Sequence, residues 1–281
     1  MVIPFCLYNA PAVFQCFMNN IFHDMVNVCI TIYLNDILIY SNNPTQHKKH
    51  VQKVLCCLQL HGLYAQANKC EFNTNSVEYL GYVLSPTGLS MAQDKVKTIQ
   101  DWPEPRKVKD IQSFFEFANF YHHVIWNYSE ITVLVTCLTR KNIPWRFSEE
   151  CYTVFEDLKQ AFTIAPVLTY WVPDQQIVVE TDALDYALSA VLFIYTNGDI
   201  HLVVYHSWTF TPLELNYDIH DKELLTIFKA FKTWRHFLEG SGTPIDVVTD
   251  HKNLEYFFII KLLIHQQAHW SEFLSQFNLV I

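Results

Sequence analysis

Charged residues are scarce in this chain, and basic residues are scarcer than acidic ones. Only 17% of the 281 residues are charged, whereas 51% are hydrophobic and 15% are aromatic. Intrinsically disordered proteins have the opposite composition, so we expect a folded chain, long enough for two modest domains with their own cores. Four of the nineteen basic residues are Arg, and the net charge is −9 at pH 7. This balance argues against strong general binding to nucleic acid, which depends on neutralisation of phosphates by Lys and Arg.

The sequence also has no membrane-spanning or secretory signature. No stretch reaches the roughly 18 uncharged apolar residues of a transmembrane helix, and the start of the chain has no basic segment of the kind that opens a signal peptide. Its eight cysteines include no Cys-x-x-Cys pair. We therefore expect a soluble intracellular protein with free, mostly buried thiols and no membrane partner.

Histidine and cysteine cluster in one segment, which raises the alternative of a zinc site. The candidate ligands are His47, His50, Cys56, Cys57, His61 and Cys70. Their spacing fits known zinc patterns loosely, and apolar residues at helical spacing in the same segment indicate an ordinary amphipathic helix. A zinc-binding regulatory protein is accordingly the third hypothesis for the function of the chain.

Residues 33–36, Tyr-Leu-Asn-Asp, predict a tight hairpin with an acidic tip. Apolar and β-branched residues flank the four on both sides, at 28–32 and 37–40. Further along, the sequence predicts a mixed α+β organisation. The expected helices are 45–61, several between 109 and 165, 221–239 and 266–277, and the expected strands are 77–84, 177–182, 187–195 and 245–250, with turns at 85–88 and 197–198.

Three acidic residues lie at the ends of predicted elements of the C-terminal part. Asp182 and Asp250 each close a strand, and Glu223 lies near the start of a helix. One end of a sheet could gather all three, and gathered carboxylates repel one another unless a divalent cation offsets their charge. Magnesium prefers such oxygen ligands, and two ions together can promote phosphodiester hydrolysis. On spacing alone, three separate surface carboxylates remain the favoured alternative.

Longer blocks around these acids resemble the ribonuclease H of gypsy-like long-terminal-repeat retrotransposons. The blocks are 180–185 with 190–192, 216–225 and 249–254, in the order of that family. Upstream segments are similar to the reverse transcriptase of the same elements, at 9–15, 33–36, 69–72, 79–81 and 117–121. The resemblance covers the chain from end to end. It implies a fragment of a Pol polyprotein with ancestral RNA-directed DNA polymerase and RNA/DNA-hybrid ribonuclease H functions.

The resemblance also implies a fold and a domain order. We expect an α+β protein with a partial polymerase palm at 1–90, a helical thumb and connection at 91–172, and a ribonuclease H-like mixed α/β domain at 173–281. Its expected partner is an RNA/DNA hybrid or a template-primer, bound weakly because of the net negative charge.

The ribonuclease H part implies a magnesium site. By the resemblance, Asp182, Glu223 and Asp250 are three of the four metal-binding and catalytic acids of a two-ion site. The fourth is expected beyond Ile281, so ribonuclease H activity is expected to be weak or absent.

The polymerase part implies a damaged site. Asn35 stands where the hairpin of the family has its principal metal-binding aspartate, and Asp36 is the remnant of the pair. A further aspartate is expected on a strand that precedes the chain. Because an amide carries no net charge, the polymerase is expected to be inactive.

Other residues that differ from the family pattern replace either Gly or a basic residue. Cys6, Glu116 and Ser189 stand where Gly is usual, and seven residues stand where Arg or Lys is usual, namely His122, His123, Trp208, Thr209, His265, Gln266 and His269. Most of these changes are reachable by single transitions, which indicates drift without selection for chemistry. The alternative function is therefore a non-catalytic relic or domesticated protein that binds nucleic acid or a partner.

Overall fold

The computed structural model describes residues 8–141, 143–196, 198–250, 254 and 265–281. The chain forms two compact units, Met1–Leu80 and Gly81–Ile281. Helices and strands mix in both, as the α+β prediction required. Within the described ranges, no helix is both long enough and apolar enough to cross a bilayer.

The first unit packs helices around a short hairpin. Its elements are α1 (Ala10–Ile21), β1 (Ile30–Tyr33), β2 (Asp36–Ile39), α2 (Pro44–Leu60), a 3₁₀ helix (Ala67–Lys69) and β3 (Val77–Tyr79). Phe22 and Ile30 are fully buried in the core of this unit, together with Val54 of α2. The Asn43 side chain caps α2 by accepting a hydrogen bond from the Thr45 N–H at 2.8 Å. The predicted helix 45–61 is therefore confirmed to within one or two residues.

The prediction of one continuous strand at 77–84 is wrong. Strand β3 ends at Tyr79, and β4 (Tyr82–Ser85) begins after Leu80 and Gly81, which have φ values of 53° and 77°. Gly81 is required at this break, because a Cβ atom there would collide with the Tyr121 hydroxyl. The turn predicted at 85–88 is confirmed, since Ser85 pairs with Gly88 of β5 (Gly88–Met91).

Helices follow, as predicted for residues 109–165. They are α3 (Gln93–Gln100), α4 (Val108–Ala118), a 3₁₀ helix (Asn119–Val124), α5 (Tyr128–Cys137) and α6 (Glu149–Thr163). Phe114 of α4 packs against Phe155 of α6 with ring centroids 4.8 Å apart, and both side chains are buried. We call residues 92–165 the connecting helices.

The C-terminal part is built on a five-stranded sheet. Its strands are β6 (Gln176–Ala183), β7 (Ala187–Thr196), β8 (Asp199–Thr209), β9 (Ile245–Val248) and β10 (Leu279–Val280), in the spatial order β10-β9-β6-β7-β8. Strands β6, β7 and β8 are antiparallel neighbours, whereas β9 runs parallel to β6 and to β10. A 3₁₀ helix (Glu214–Asn216), α7 (Ile219–Thr233) and α8 (Arg235–Leu238) cross from β8 to β9, and α9 (His265–Leu274) precedes β10.

Three predicted boundaries in this part need correction. The helix predicted at 221–239 starts at Ile219 and is interrupted at Trp234, whose side chain is buried in the core of the sheet. The strand predicted at 245–250 ends at Val248, so Asp250 lies on irregular backbone beyond it. The helix predicted at 266–277 spans His265–Leu274. Asn197 of the predicted turn lies outside the described residues.

The sheet is covered on two faces. On the first face, α7 buries Leu224, Ile227 and Phe231 against β6 and β7. On the second face lie the connecting helices, where the Ser129 N–H donates to Ser207 Oγ at 2.9 Å and the Ser207 hydroxyl donates to Ser129 Oγ at 2.9 Å. The connecting helices and the sheet therefore share one packed interface.

Three histidines lie at this interface in half-buried positions. His122 Nε2 lies 3.3 Å from His206 Nδ1, and His123 Nε2 lies 3.0 Å from the Tyr82 hydroxyl. Burial lowers the pKa of His123 and of His206 to about 4, and the charge of His122 adds to both effects. Both imidazoles are neutral in the folded chain at pH 7.

Acid should destabilise the fold through these two histidines. Because their folded pKa lies below the unfolded value of about 6.5, their full contribution is present above pH 6.5 and is lost as the pH falls towards 4. After allowance for partial exposure, we expect a loss on the order of 1 kcal/mol per imidazole at pH 5. Urea unfolding at pH 7.5 and pH 5 should show a smaller loss for His206→Gln than for the wild type. The exposed His236→Gln is the control, and an equal loss in all three proteins would contradict the assignment.

Candidate metal centre

The parallel pairing of β6 and β9 brings two predicted acids to one edge of the sheet. Glu180 of β6 pairs with Val248 of β9. Asp182 lies two residues after Glu180, and Asp250 lies two residues after Val248. Because parallel strands end at the same edge, the two carboxyl groups lie side by side there. This juxtaposition is the one that the resemblance implied, whereas spacing alone left it as the less favoured alternative.

Glu223 reaches the same edge from helix α7. It lies in the second turn of the helix, slightly later than predicted, and its side chain is 1% exposed. The Ala183 N–H donates to Glu223 Oε1 at 3.1 Å, and the Thr249 hydroxyl donates to Glu223 Oε2 at 3.3 Å. These two hydrogen bonds tie the carboxyl group to the ends of both β6 and β9, and so fix its orientation.

The three acids form one cluster. One carboxylate oxygen from each of Asp182, Glu223 and Asp250 lies within 4.8 Å of the other two, and in the described part of the chain this is the group of three that could hold a metal ion. All its ligand atoms are carboxylate oxygens, the hard donors that Mg²⁺ and Mn²⁺ prefer. The donor set therefore fits a magnesium ion.

The cluster is electrostatically strained without a cation. Burial raises the pKa of Glu223 to about 7; the hydrogen bond from Ala183 opposes this effect, and the charges of Asp250 and Asp182 add to it. Burial also raises the pKa of Asp182, with a further contribution from Asp250. A divalent cation would remove this repulsion, and it would displace the proton from Glu223.

The hairpin of the first unit has the predicted shape. Tyr33 pairs with Asp36 across a two-residue turn, and Leu34 adopts a left-handed φ of 52°. Gln15 of α1 holds this turn, since its Oε1 accepts from the Leu34 N–H at 2.7 Å and its Nε2 donates to the Ile32 carbonyl at 3.2 Å. Asn35 and Asp36 are both exposed at the tip. Among the residues described, Asp36 belongs to no cluster of three metal-binding side chains.

The six candidate zinc ligands do not converge either, as far as the described residues show. His50 Nδ1 lies 2.7 Å from Ser41 Oγ, and the Cys57 thiol donates to the Ile21 carbonyl at 3.1 Å. The Cys70 thiol donates to the Gln66 carbonyl at 3.4 Å. Each of these side chains has a hydrogen-bond partner of its own, so the segment behaves as the amphipathic helix that its periodicity indicated.

Two residues close to the cluster were not identified from the sequence. Thr249 was noted only as part of a block, although its hydroxyl contacts Glu223. Glu130 of α5 was not considered at all, although its carboxyl group interacts electrostatically with Asp185 and Asp182. Glu130 and Asp182 are 52 positions apart, so no local pattern in the sequence relates them.

Comparison with known families agrees with this geometry. Residues 172–277 match the family described as the RNase H-like domain found in reverse transcriptase, and residues 1–84 match the reverse transcriptase (RNA-dependent DNA polymerase) family. The Tf2-3 transposon polyprotein of Schizosaccharomyces pombe is 33% identical over 288 residues, and the Tf2-7 polyprotein of the same organism is 32% identical. Each alignment covers all of this chain but 21% of the relative, so the chain spans about a fifth of the length of these proteins.

Solved structures support the fold. The foamy viral protease-reverse transcriptase in complex with an RNA/DNA hybrid superposes with a TM-score of 0.78 at 23% identity, over 99% of this chain and 38% of that chain. The same viral protein in complex with dsDNA gives a TM-score of 0.79 at 24% identity, over 99% and 59%. With reverse transcriptase and ribonuclease H-like domains in the order that the resemblance implied, the chain belongs to the Pol polyproteins of gypsy-like retrotransposons.

Proposed function

We propose that this chain binds RNA/DNA hybrids and cleaves their RNA strand weakly, with magnesium held by Asp182, Glu223 and Asp250. The observation that carries this proposal is the convergence of three carboxylate oxygens within 4.8 Å at one edge of the sheet. Bound magnesium supplies an activated water and stabilises the leaving oxygen in phosphodiester hydrolysis.

The protein side chains have separate tasks in this proposal. Asp182 and Asp250 provide charged ligands from the ends of parallel strands. Glu223 provides the third ligand once it has lost its proton, and the Ala183 N–H and Thr249 hydroxyl keep its carboxyl group oriented towards the other two. A ligand held by two hydrogen bonds loses little conformational freedom when the cation binds.

The proposed substrate class rests on the relatives as well as on the site. The foamy viral protein was solved with an RNA/DNA hybrid and with dsDNA, and this chain shares its fold. The net charge of −9 opposes contact with phosphates. Hybrid binding by this chain should therefore be weak. An intracellular location is part of the same proposal.

In this proposal the hairpin is a polymerase remnant. Gln15 and the β1–β2 pairing keep its backbone in shape, but Asn35 supplies no negative charge beside Asp36. Phosphoryl transfer needs metal ions held where negative charge develops.

We assign residues 1–90 to a partial palm, 91–172 to a thumb and connection, and 173–281 to the ribonuclease H-like domain. The alternative, a non-catalytic protein that binds nucleic acid or a partner, is favoured by the loss of charge at Asn35.

The proposed ribonuclease activity depends on Asp182. Asp182→Asn should reduce magnesium-dependent cleavage of the RNA strand by about 100-fold or more, because the cation loses a charged ligand. Cleavage of a labelled RNA/DNA hybrid measures this effect, with the exposed Asp199→Asn of β8 as a control for the change in net charge. Equal cleavage by wild type and Asp182→Asn would disprove the assignment. Hybrid binding without cleavage, insensitive to Asp182→Asn, would establish the non-catalytic alternative.

Magnesium affinity should depend on pH through Glu223. Its metal-free pKa of about 7 means that binding must release a proton at lower pH. We expect close to one proton released per ion at pH 6 and nearly none at pH 8.5, with an affinity about tenfold higher at pH 8.5 than at pH 6. Calorimetry in two buffers of different ionisation enthalpy counts these protons. Metal binding with no proton release at pH 6 would contradict a protonated Glu223.

The hairpin should not support DNA synthesis. The unmodified chain should extend no primer on an RNA or DNA template with Mg²⁺ or Mn²⁺, whereas Asn35→Asp should strengthen Mn²⁺ binding at the hairpin by placing two carboxylates together. Gel-based extension assays and Mn²⁺ relaxation measurements test the two statements. Robust incorporation of deoxynucleotides by the unmodified chain would refute the proposal of an inactive polymerase.

A further inference from the structure

An exposed tyrosine lies on the turn that follows Asp182. The turn joins β6 to β7 and is closed by a hydrogen bond of 2.9 Å from the Leu184 N–H to the Ala187 carbonyl. Tyr186 belongs to this turn, and its side chain is exposed, with a relative accessibility of 54%. A large aromatic ring is therefore presented to solvent at the edge of the sheet that carries the metal centre.

The backbone of Tyr186 is held on both sides. Its N–H donates to the carboxyl group of Glu130 on α5, and its carbonyl accepts from the Phe210 N–H at 3.0 Å. The first contact ties the turn to the connecting helices, and the second ties it to the residue that follows β8. A residue held in this way loses little conformational freedom when its side chain contacts a ligand.

A lysine lies on the other side of Phe210. Lys222 Nζ is 5.1 Å from the centroid of the Phe210 ring, which is buried in the core of the sheet. On α7, Lys222 directly precedes Glu223 of the metal centre. In the part of the chain that the structure describes, Lys222 forms no ion pair with an acidic residue. Its positive charge can therefore pair with a ligand.

Phe210 connects the tyrosine to the lysine. Its N–H fixes the backbone of Tyr186, and its ring attracts the Lys222 ammonium through a cation–π contact. An exposed aromatic ring and a cation thus accompany the three acids of the metal centre. Proteins bind nucleic acid with these two groups, since aromatic rings pack on nucleotides and ammonium groups pair with phosphates.

The charge of Lys222 distinguishes a nucleic-acid strand from an apolar protein partner. An apolar surface would cover the Tyr186 ring, but it would leave the neighbouring ammonium group without water or a counter-charge, which is costly. A strand supplies both contacts at once, because each nucleotide has a flat group for the ring and a phosphate for the ammonium. The two side chains therefore fit a nucleic-acid strand better.

We propose that Tyr186 and Lys222 form a subsite for one strand of an RNA/DNA hybrid beside the metal centre. The Tyr186 ring packs on a nucleotide, and the Lys222 ammonium pairs with a phosphate. The backbone contacts of Tyr186 with Glu130 and Phe210 set the position of the ring. This inference rests on the proposed function, because it takes the RNA/DNA hybrid as the ligand.

Hybrid binding in the absence of metal tests the subsite separately from cleavage. Fluorescence anisotropy of a labelled hybrid in EDTA measures the dissociation constant of the full chain. Tyr186→Ala should weaken binding about tenfold, whereas Tyr186→Phe, which keeps the ring, should change it less than about twofold. The matched control is Tyr195→Ala, which removes an exposed tyrosine at the opposite end of β7 and should bind like the wild type.

The salt dependence of binding tests the lysine. Lys222→Gln should reduce the slope of log Kd against log salt concentration by about one, because one phosphate contact is lost. Lys222→Arg should retain the slope. The matched control is Lys232→Gln on the last turn of α7, since the Lys232 ammonium also lies over an aromatic ring, 5.8 Å from the Phe228 centroid. This control should leave the slope unchanged.

The outcomes separate the subsite from the proposed ribonuclease activity. Equal binding by the wild type, Tyr186→Ala and Lys222→Gln would overturn the subsite, whether or not the hybrid is cleaved. Losses of the same size in the two control variants would also overturn it. If the wild type binds the hybrid through Tyr186 and Lys222 but cleaves nothing, the subsite is supported and only the proposed cleavage fails. Failure of the wild type to bind any hybrid would refute both.

Discussion

The mutual repulsion of Asp182, Glu223 and Asp250 is the constraint around which the C-terminal half is arranged. Parallel β6 and β9 hold two of the carboxyl groups side by side, and the Ala183 N–H and Thr249 hydroxyl hold the third against them. Packing of α7 on the first face of the sheet supplies the stabilisation that this arrangement requires. A proton on Glu223 or a bound cation can balance the charge, so protonation and metal binding compete at the same oxygens.

The sequence predicted the features that depend on local pattern. The predicted strands 177–182 and 187–195 correspond to β6 and β7, and the predicted helix 45–61 ends within one residue of the end of α2. The resemblance, rather than spacing alone, implied that Asp182 and Asp250 are neighbours. It did not predict the break at Leu80 and Gly81, which depends on space beside the distant Tyr121, nor the interruption at Trp234, where a buried indole redirects the chain. It could not relate Ser129 to Ser207 or Glu130 to Asp182, because contacts between such distant residues leave no period in a single sequence.

Under the proposed function, the hairpin and the metal centre differ in which of their features is altered. At the hairpin, the backbone turn is held by Gln15 and by strand pairing, neither of which involves a carboxylate. Asparagine has nearly the shape of aspartate, so Asn35 removes charge without disturbing the fold. At the metal centre, by contrast, all three acids are present although their repulsion is unfavourable. In this proposal the hairpin keeps its shape although it lacks one carboxylate, because the shape and the charge depend on different interactions.

Ser189 tests whether drift explains the departures from the family pattern. Several departures have been accommodated locally, since His122 contacts His206 and Trp208 packs against the core of the sheet. Ser189 differs, because its hydroxyl is fully buried and unpartnered beside Asp182. Under drift alone, this hydroxyl is an uncompensated cost, and its removal should stabilise the chain with or without metal.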